Sequence, residues 1–393
     1  MMGRRVLVLN QFALPRSAPG GTRHVELFEQ MHGWDATILV GRRGLLDQQE
    51  VKDEGSLVTV PVTRYGGNGP SRIVNWISYT VAAFLRGVFA PRPDVVYGSS
   101  PHMGAALAAW SIAFLRRAHF VLEVRDLWPK ILVDTGMMGE TSAVYRALKM
   151  LERFLYRRAE LIVVLAKGSA TDIIAEGIDP EKVVFIPNGA DPEDFAVQED
   201  REVLRDRWGF EGFVFVYAGA HGPANGLDLV LDAAHELVTQ DSPVRFVLLG
   251  DGVEKPRLQE RVRVEGLSNV DFRDPVAKSL IPEVLAAADA GLHCLADIDL
   301  FRRGVSPNKL YDYMAAGRPV LTNTLGEVAE MVRAADAGLA VEPTEIASGA
   351  AGLAGASDAE LATFSSGGLA WMKANRSRAA LSSQLALRLA RLC

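Results

Sequence analysis

The feature that most limits how this chain can fold is a repeated order of short apolar strand, polar or glycine-containing loop, and helix. Apolar runs that predict strands occur through the first half, at residues 6–9, 36–40, 57–60, 119–124 and 161–165. Segments 94–102 and 183–191 each predict a strand that runs into a loop. The order starts again in the second half, at 213–219, 245–249, 270–272, 290–295 and 319–322. Short apolar strands that alternate with helices predict an α/β fold with parallel, doubly wound sheets.

Two such domains are expected, because 393 residues exceed what one hydrophobic core usually supports. We place one Rossmann-like domain at residues 1–190 and a second at 191–375, with the strand ends of both domains facing a shared cleft. The remaining residues, 376–393, keep an apolar Leu and Ala pattern that predicts a helix. A helix at this position can cross back to the first domain.

Charge and composition narrow the class of partner. Residues 1–190 contain 22 Lys and Arg against 18 Asp and Glu, whereas the whole chain has a formal net charge of −6. The acidic second half argues against a nucleic-acid partner, and the mildly basic first half suits an anionic ligand or a membrane surface. No apolar stretch is long enough to span a bilayer, and Cys294 and Cys393 provide no disulfide framework. A cytoplasmic location is expected, either free or peripheral at the inner face of the membrane.

Residues 304–323 form the segment with the clearest binding signal. Ser306 is the expected N-cap of a short helix, the proline after it the first helical residue, and Gly317 the expected end. Such a helix presents free backbone amides and the positive end of its dipole beside Asn308 and Lys309. The pattern predicts a phosphate or diphosphate site, although an ordinary capped helix would have the same sequence.

Two regions of the first half also suggest ligand contact. Gly20 and Gly21 lie between the first strand and the first helix, where a phosphate could approach a backbone without side chains. This loop has neither the dinucleotide-binding nor the Walker A spacing. At the end of strand 119–124, Asp126 and Trp128 stand among other charged residues and suit a pocket for a sugar or lipid. A surface Arg–Asp pair is the alternative.

Two helical stretches bear on membrane contact. Residues 71–90 are apolar nearly throughout and carry Arg72 and Arg86. This pattern favours a buried scaffold helix over one that lies in a membrane interface. Residues 143–158 predict a basic amphipathic helix, for which a solvated face is favoured over a membrane-facing one. Peripheral membrane contact is left open.

Five segments, in this order and spacing, resemble glycosyltransferase family 4: PGGTRH at 19–24, EVRDLWP at 123–129, IPNGAD at 186–191, LGDG at 249–252 and VSPNKLYDYMAAGRPV at 305–320. The resemblance covers residues 4–345 and is nearest to the branch acting in bacterial surface-polysaccharide and amino-sugar pathways. It implies the GT-B fold and a retaining, metal-independent transferase. A hexosyl or N-acetylhexosaminyl group would move from a nucleoside-diphosphate sugar, with UDP the expected nucleotide, to an acceptor hydroxyl.

The resemblance also implies roles for individual residues. In the N-terminal domain, which would bind the acceptor, Asp126 and His102 would be catalytic groups, and Gly20 and Gly21 would approach the donor diphosphate. In the C-terminal domain the donor would be bound by His221, Asn225, Gly252, Ser306, Asn308, Lys309 and Asp312. Asp312 would take the ribose-binding carboxylate position. The acceptor would be a saccharide, a lipid-linked molecule or a small molecule, and no cofactor or metal is expected beyond the nucleotide sugar.

This sequence departs from the family pattern at two places. The family has two glutamates eight residues apart, whereas the corresponding positions here are Gly304 and Asp312. The carboxylate that contacts the donor sugar is therefore missing. His221 and Asn225 replace an Arg and Lys pair, so that Lys309 becomes the first candidate cation for the phosphates.

Other functions remain open at this point. A sugar-nucleotide epimerase of the same fold would act on the donor without an acceptor, and a non-catalytic nucleotide-sugar-binding protein would fit the missing glutamate. Residues 297–299 spell the Asp-x-Asp pattern of metal-dependent transferases, but those enzymes have another fold. A dehydrogenase is disfavoured, because the first strand is not followed by a dinucleotide-binding glycine pattern.

Overall fold

The computed structural model describes residues 3–18, 21–43, 50–66, 69–134 and 138–393. Within these ranges the strands are β1 (Arg4–Leu9), β2 (Trp34–Gly41), β3 (Leu57–Val60), β4 (Val95–Ser99), β5 (His119–Val124), β6 (Leu161–Val164), β7 (Val183–Phe185), β8 (Phe213–Ala218), β9 (Val244–Leu249), β10 (Val270–Arg273), β11 (Ala290–His293), β12 (Val320–Thr322) and β13 (Gly338–Ala340).

The helices in the same ranges are α1 (Arg23–Glu29), α2 (Pro70–Val88), α3 (Met103–Arg116), α4 (Lys130–Asp134), α5 (Ala143–Arg158), α6 (Lys167–Ala175), α7 (Arg201–Trp208), α8 (Leu227–Thr239), α9 (Lys255–Glu265), α10 (Ile281–Ala287), α11 (Asp299–Arg303), α12 (Asn308–Ala315), α13 (Glu327–Ala334), α14 (Ile346–Ala354), α15 (Asp358–Asn375) and α16 (Arg378–Ala390).

The chain divides into two compact units, residues 1–187 with 378–393, and residues 188–377. The sheet of the first unit has the strand order β3-β2-β1-β4-β5-β6-β7, and that of the second has the order β10-β9-β8-β11-β12-β13. Neighbouring strands of both sheets pair in parallel. Both orders run outward from the first strand in two directions, as in Rossmann-like sheets. The prediction of two doubly wound domains is confirmed.

The first sheet is covered on both faces, and its strands show why. In β1, Val6 and Val8 point to the core formed with α1 and α16, while Leu7 and Leu9 point to the core formed with α2, α3 and α5. Strands that are buried on both faces read as continuous apolar runs, which is the pattern that identified them in the sequence.

Helix α16 belongs to the first unit, although the residues before it belong to the second. Ser382 Oγ donates a hydrogen bond of 2.7 Å to the carbonyl oxygen of Leu27 in α1. Arg378 Nε lies 3.0 Å from Glu26 Oε2. Leu385 and Leu389 of the same helix are fully buried, so α16 is part of the core of this unit.

The sequence favoured a buried helix at residues 71–90, and this prediction is wrong for one face of α2. Tyr79 and Ala83 are buried against the sheet, but Ile73, Ile77 and Leu85 are each more than half exposed. Apolar residues all around a helix do not by themselves show which faces the neighbouring elements cover. Among the described residues, no helix combines the length and apolar character needed to cross a bilayer.

Candidate active site

The strand order of the second sheet reverses at β8 and β11, and such a switch point is where doubly wound folds bind ligands. Loop 219–226 follows β8, and α12 is anchored beside it through Tyr313. The Tyr313 ring packs directly on Gly291 of β11, where a Cβ atom would clash. Its hydroxyl accepts a hydrogen bond of 2.9 Å from the backbone N–H of Ala218, the last residue of β8. The start of α12 is thereby held at the switch point.

Lys309, in the first turn of α12, reaches back to this loop. Its Nζ lies 3.3 Å from Asn225 Oδ1 and 4.9 Å from the centre of the Tyr217 ring. A Cβ atom at Gly219 would lie 2.7 Å from Lys309 Cε, so the lysine occupies space that only a glycine leaves. Burial lowers the pKa of Lys309 to about 8, against the opposing effect of Asp312. The ammonium has lost hydration that an anionic ligand would replace.

His221, in the same loop, is fully buried. Its ring lies 5.9 Å from the Tyr217 ring and 5.6 Å from the Phe272 ring, between centres. Within the described residues neither ring nitrogen has a hydrogen-bond partner. Burial, together with Lys255 and Lys309, lowers the pKa of His221 to about 4, against the opposing effect of Asp251. The imidazole is therefore neutral at pH 7 and contributes no positive charge to this loop.

Gly252 lies directly against the backbone of His221. A Cβ atom at Gly252 would be 2.8 Å from the His221 backbone nitrogen, and its φ of +159° is one that side chains rarely adopt. The Gly252 N–H donates a 2.8 Å hydrogen bond to Asp251 Oδ1. This glycine permits the close approach of two loops, while its amide is already engaged by a carboxylate.

The predicted N-cap at Ser306 is wrong. Helix α12 begins at Asn308, Pro307 precedes it, and no side chain caps its first turn. Ser306 Oγ instead accepts a 2.9 Å hydrogen bond from the backbone N–H of Asn188, and the Ser306 carbonyl accepts one of 2.9 Å from Asn188 Nδ2. The helix start is left without a side-chain cap, with Asn308 exposed and Asp312 partly exposed one turn further on.

Gly304 is the residue at which the family resemblance predicts a glutamate. Its φ is +139°, which favours glycine because residues with a Cβ atom rarely adopt it. The loss of the carboxylate is thus accompanied by a local backbone that a glutamate would not readily adopt. The donor-sugar contact of the family pattern has no counterpart at this position.

The first unit contains a buried polar network around Glu123. Glu123 Oε2 accepts hydrogen bonds from Tyr97 Oη (2.6 Å) and Arg23 Nε (3.1 Å), and Oε1 lies 3.0 Å from His24 Nε2. Burial alone would raise the pKa of Glu123, but Arg23 and His24 outweigh it and hold that pKa well below its usual range. Burial lowers the pKa of His24, and Glu123 partly opposes this effect.

This network changes the interpretation of the strand-end cluster. Glu123 is fully buried and faces α1, whereas Asp126 is exposed. Arg23 also donates to the carbonyl oxygens of Pro187 and Ile186, at 2.7 Å each, and so fixes the chain where it leaves the first unit. Sequence reasoning missed Arg23, His24 and Tyr97; a carboxylate inside an apolar strand was the available signal.

His102 lies at the start of α3 and is 5 % exposed. Its ring centre lies 5.3 Å from that of Trp76 and 5.7 Å from that of Tyr79, and Trp76 contacts Trp128 at 5.9 Å. Burial lowers the pKa of His102 to about 3. The ring is a neutral part of an aromatic cluster and is poorly suited to take up a proton.

Asp126 lines a small cavity with Ser100, Trp128 and Tyr156. Although the residue is exposed, neighbouring protein atoms bury its carboxyl group and so raise the pKa of Asp126 above its ordinary value, an effect that Arg125 partly opposes. Asp126 is solvent-accessible, and it lies two residues from Trp128, which contacts Trp76. Of the two predicted catalytic residues, Asp126 is the one that a ligand could reach.

The predicted glycine loop is described only in part. Gly21 has a φ of +68°, and a Cβ atom there would lie 2.9 Å from the carbonyl oxygen of Phe12. The Gly21 carbonyl accepts a 3.0 Å hydrogen bond from the N–H of Leu14. Glycine is therefore required for the turn itself. Gly20 lies outside the described residues.

In the described part of the chain, no group of three or more His, Cys, Asp or Glu side chains is placed so that it could hold a metal ion. Asp297, in the Asp-x-Asp sequence, accepts a hydrogen bond of 2.7 Å from Arg302. This carboxylate is paired with a cation.

Two Rossmann-like domains in one chain, with a cation at the switch point of the second sheet, are typical of proteins with the GT-B fold. Residues 26–189 match the Glycosyl transferase 4-like domain, and residues 212–356 match the Glycosyl transferases group 1 domain. Together the two matches cover most of the chain, so the chain belongs to the glycosyltransferases that combine these two domains, and it is a glycosyltransferase.

Two similar proteins are also named as glycosyltransferases. The chain is 25 % identical over 277 residues to the putative colanic acid biosynthesis glycosyl transferase WcaI of Escherichia coli, a match that covers 68 % of this chain and 67 % of the relative. It is 32 % identical over 241 residues to the probable glycosyltransferase WbjE of Pseudomonas aeruginosa, covering 59 % and 58 %.

The fold also resembles a solved structure over nearly the whole chain. The crystal structure of Anabaena Alr3699/HepE in complex with UDP and glucose superimposes with a TM-score of 0.73 at 20 % identity. The match covers 99 % of this chain and 100 % of the other. At this identity the likeness concerns the fold.

Proposed function

We propose that this glycosyltransferase moves a hexosyl or N-acetylhexosaminyl group from a UDP-sugar to an acceptor hydroxyl, with retention at the anomeric carbon and without a metal. The observation that carries the proposal is the position of Lys309. Its ammonium has lost hydration and lies at the switch point of the second sheet, beside the uncapped start of α12. A diphosphate would meet both a cation and backbone amides there.

Each residue around Lys309 would have a separate role in donor binding. Lys309 would pair with the diphosphate, with Asn225 orienting its ammonium through the 3.3 Å contact. The carboxylate of Asp312, one turn further along α12, would accept hydrogen bonds from the ribose. His221 is neutral and would donate to, or accept from, the ligand without adding charge. Ser306 would act indirectly, because it holds Asn188.

UDP is proposed as the nucleotide because the HepE structure, similar over nearly its whole length, was solved with UDP. The names of the E. coli and P. aeruginosa relatives support surface-polysaccharide sugars as the substrate class. Gly304 argues for a donor sugar that is held by groups other than the usual glutamate.

The transfer itself needs little covalent chemistry from the protein. A bond forms between the acceptor oxygen and the anomeric carbon while the bond from that carbon to the diphosphate oxygen breaks. The acceptor proton passes to the departing diphosphate, which leaves as UDP. Lys309 and the amides of α12 would stabilise the negative charge that develops on this leaving group.

The acceptor would bind to the first unit at Asp126, with Trp76 and Trp128 providing aromatic faces for a sugar. His102 would shape this pocket as a positioning residue and not transfer a proton, because its pKa is about 3. We propose a saccharide acceptor, carried on a lipid, and peripheral contact with the inner face of the membrane.

Titration with UDP tests the donor site. The wild-type chain should bind UDP with a rise in melting temperature, Lys309→Ala should lose most of that rise, and Lys373→Ala, an exposed lysine in α15, should retain it. Unchanged UDP affinity in Lys309→Ala would remove this residue from its role.

Incubation with UDP-sugars then separates the functions that share this fold. A transferase releases UDP only when an acceptor is present, and NMR of the product reports whether the anomeric configuration is retained. Isomerised donor without an acceptor would indicate an epimerase, and binding without turnover would indicate a non-catalytic protein. Activity that disappears with EDTA and returns with a divalent ion would contradict metal independence.

A further inference from the structure

The outward side of α2 presents an exposed apolar surface, which we call the α2 face. Six large apolar side chains along it are at least half exposed: Ile73, Val74, Ile77, Val81, Leu85 and Phe89. Two more, Phe114 and Leu115 at the end of α3, are 72 % and 56 % exposed. Monomeric soluble proteins seldom expose so many neighbouring apolar side chains unless a partner covers them.

The two helices that form this surface are joined at their C-terminal ends. Arg116 of α3 donates hydrogen bonds to the carbonyl oxygens of Val88 (2.9 Å) and Ala90 (3.1 Å), the residues where α2 ends. The C-terminal ends of α2 and α3 therefore lie close to each other.

The chain segment that contains the α2 face is mostly basic, although the carboxylate of Asp53 interacts with Arg86 at its edge. Residues 55–122 of the sequence contain six arginines and one acidic residue, Asp94. Arg86, Arg92 and Arg117 are exposed near the ends of α2 and α3. An apolar face bordered by cations is complementary to an anionic lipid surface. In a symmetric contact with a second copy the same arginines would approach each other, which costs energy.

The α2 face is also directly connected to the proposed acceptor pocket. Trp76 lies on the inner side of α2 and contacts both His102 (5.3 Å) and Trp128 (5.9 Å) between ring centres. Ile73 and Ile77, one turn apart beside it, point outward. A single helix thus separates the exposed apolar surface from the aromatic cluster.

We propose that the α2 face docks this protein on an anionic membrane, with α2 lying in the plane of the headgroup–acyl boundary, and so brings a lipid-carried acceptor to the cluster of Trp76, His102 and Trp128. The identity of the acceptor rests on the proposed glycosyl transfer, whereas docking on lipid does not depend on it. The α2 face inserts shallowly, and the arginines at its border contact lipid phosphates.

Flotation of the full chain with vesicles tests the docking. Vesicles of phosphatidylglycerol and phosphatidylcholine in equal parts should carry the protein upward in a sucrose gradient, and vesicles of phosphatidylcholine alone should carry much less. The triple variant Ile77→Ser, Val81→Ser, Leu85→Ser should bind anionic vesicles roughly 100-fold more weakly, since three side chains no longer enter the apolar layer. The variant Arg86→Gln, Arg92→Gln, Arg117→Gln should lose the preference for anionic lipid.

A matched control makes the same kind of substitution, exposed apolar residue to serine, on the second unit. Val203→Ser, Val253→Ser, Val264→Ser removes three exposed apolar side chains and should float as the wild type does. The α2-face variant should retain its UDP-induced rise in melting temperature, which shows that it is folded and that the donor site is intact. A wild type that floats but does not bind UDP would contradict the proposed function and support the docking.

Two results would overturn the docking. One is equal flotation of the wild type and the α2-face triple variant. The other is a wild type that stays at the bottom of the gradient with anionic vesicles. If that wild type also forms dimers and the triple variant does not, the face would bind a second copy of the chain.

Discussion

Replacement of Gly219 by alanine tests the donor site without changing any charged residue. The added Cβ atom would lie 2.7 Å from Lys309 Cε and 2.9 Å from Lys309 Cδ, well inside ordinary van der Waals contact. The lysine chain is flexible at this end, so it should swing away while the backbone stays in place. The ammonium would then leave the contact with Asn225 and the diphosphate position.

The size of the effect follows from the interaction that is lost. A hydrogen bond to a charged group contributes about 1.5–3 kcal/mol, which corresponds to a roughly 10- to 150-fold rise in the Kd for UDP. Calorimetric titration with UDP at pH 7 measures it. Gly222→Ala is the matched control, because its nearest heavy atom, Asn225 Nδ2, is 3.7 Å away, and its affinity should equal that of the wild type.

The double variant Gly219→Ala, Lys309→Ala separates displacement of the lysine from a general disturbance of the loop. If Gly219→Ala acts through Lys309, the double variant should bind UDP no more weakly than Lys309→Ala alone. Fully additive losses, or a loss in Gly222→Ala as large as in Gly219→Ala, would refute the reasoning.

Four further results are expected. The affinity for UDP should be nearly constant below pH 8 and fall about tenfold per pH unit above it, because Lys309 has a pKa of about 8 in the free protein. Calorimetric titration across pH 6–10 measures this dependence, and Lys309→Ala should remove it. Lys309→Met should raise the free energy of unfolding by about 1–3 kcal/mol at pH 7, because a lysine with a lowered pKa destabilises the native state when it is charged. This destabilisation is complete below pH 8 and shrinks as the pH rises toward the unfolded pKa of the lysine. Denaturant titration measures the change, and a less stable variant would contradict the idea that the lysine is kept for function. Glu123→Gln should lower the free energy of unfolding by about 3–5 kcal/mol, because it removes the buried carboxylate that balances the charge of Arg23. Tyr97→Phe should lower it by about 1–2 kcal/mol, because one hydrogen bond is lost. Equal losses in a denaturant titration would contradict the network. Asp126→Asn should lower the transfer rate and leave UDP affinity unchanged, and in the wild type the rate should fall on acidification at a higher pH than for an ordinary carboxylate, because the Asp126 pKa is raised; a loss of UDP affinity would move this residue to the donor site.

The sequence predicted the elements that depend on local patterns. Leu57–Val60 was placed without error, since Val58, Thr59 and Val60 are β-branched residues, which favour strands. Gly317 ends the helical segment as expected, with a φ of +63° and an amide that bonds to the carbonyl oxygen of Met314. These features are set within a few residues.

Features that depend on distant partners could not be predicted. Ser306 has the sequence of an N-cap but bonds to Asn188, 118 positions away, and a residue with two available partners does not reveal its choice in one sequence. Glu123 looked like part of an exposed cluster because the cation that neutralises it, Arg23, is 100 positions earlier. The exposed side of α2 was missed for the same reason, since exposure depends on which elements pack beside it.

The membership of α16 in the first unit has a consequence for the order in which the chain folds during synthesis. Residues 188–377 are contiguous, so their unit can close as soon as it has left the ribosome. The unit that begins earlier must wait for Leu381, Leu385 and Leu389, and until then the surface that they cover is open to water and to other nascent chains. The half of the protein that is made first is thus the half that finishes last.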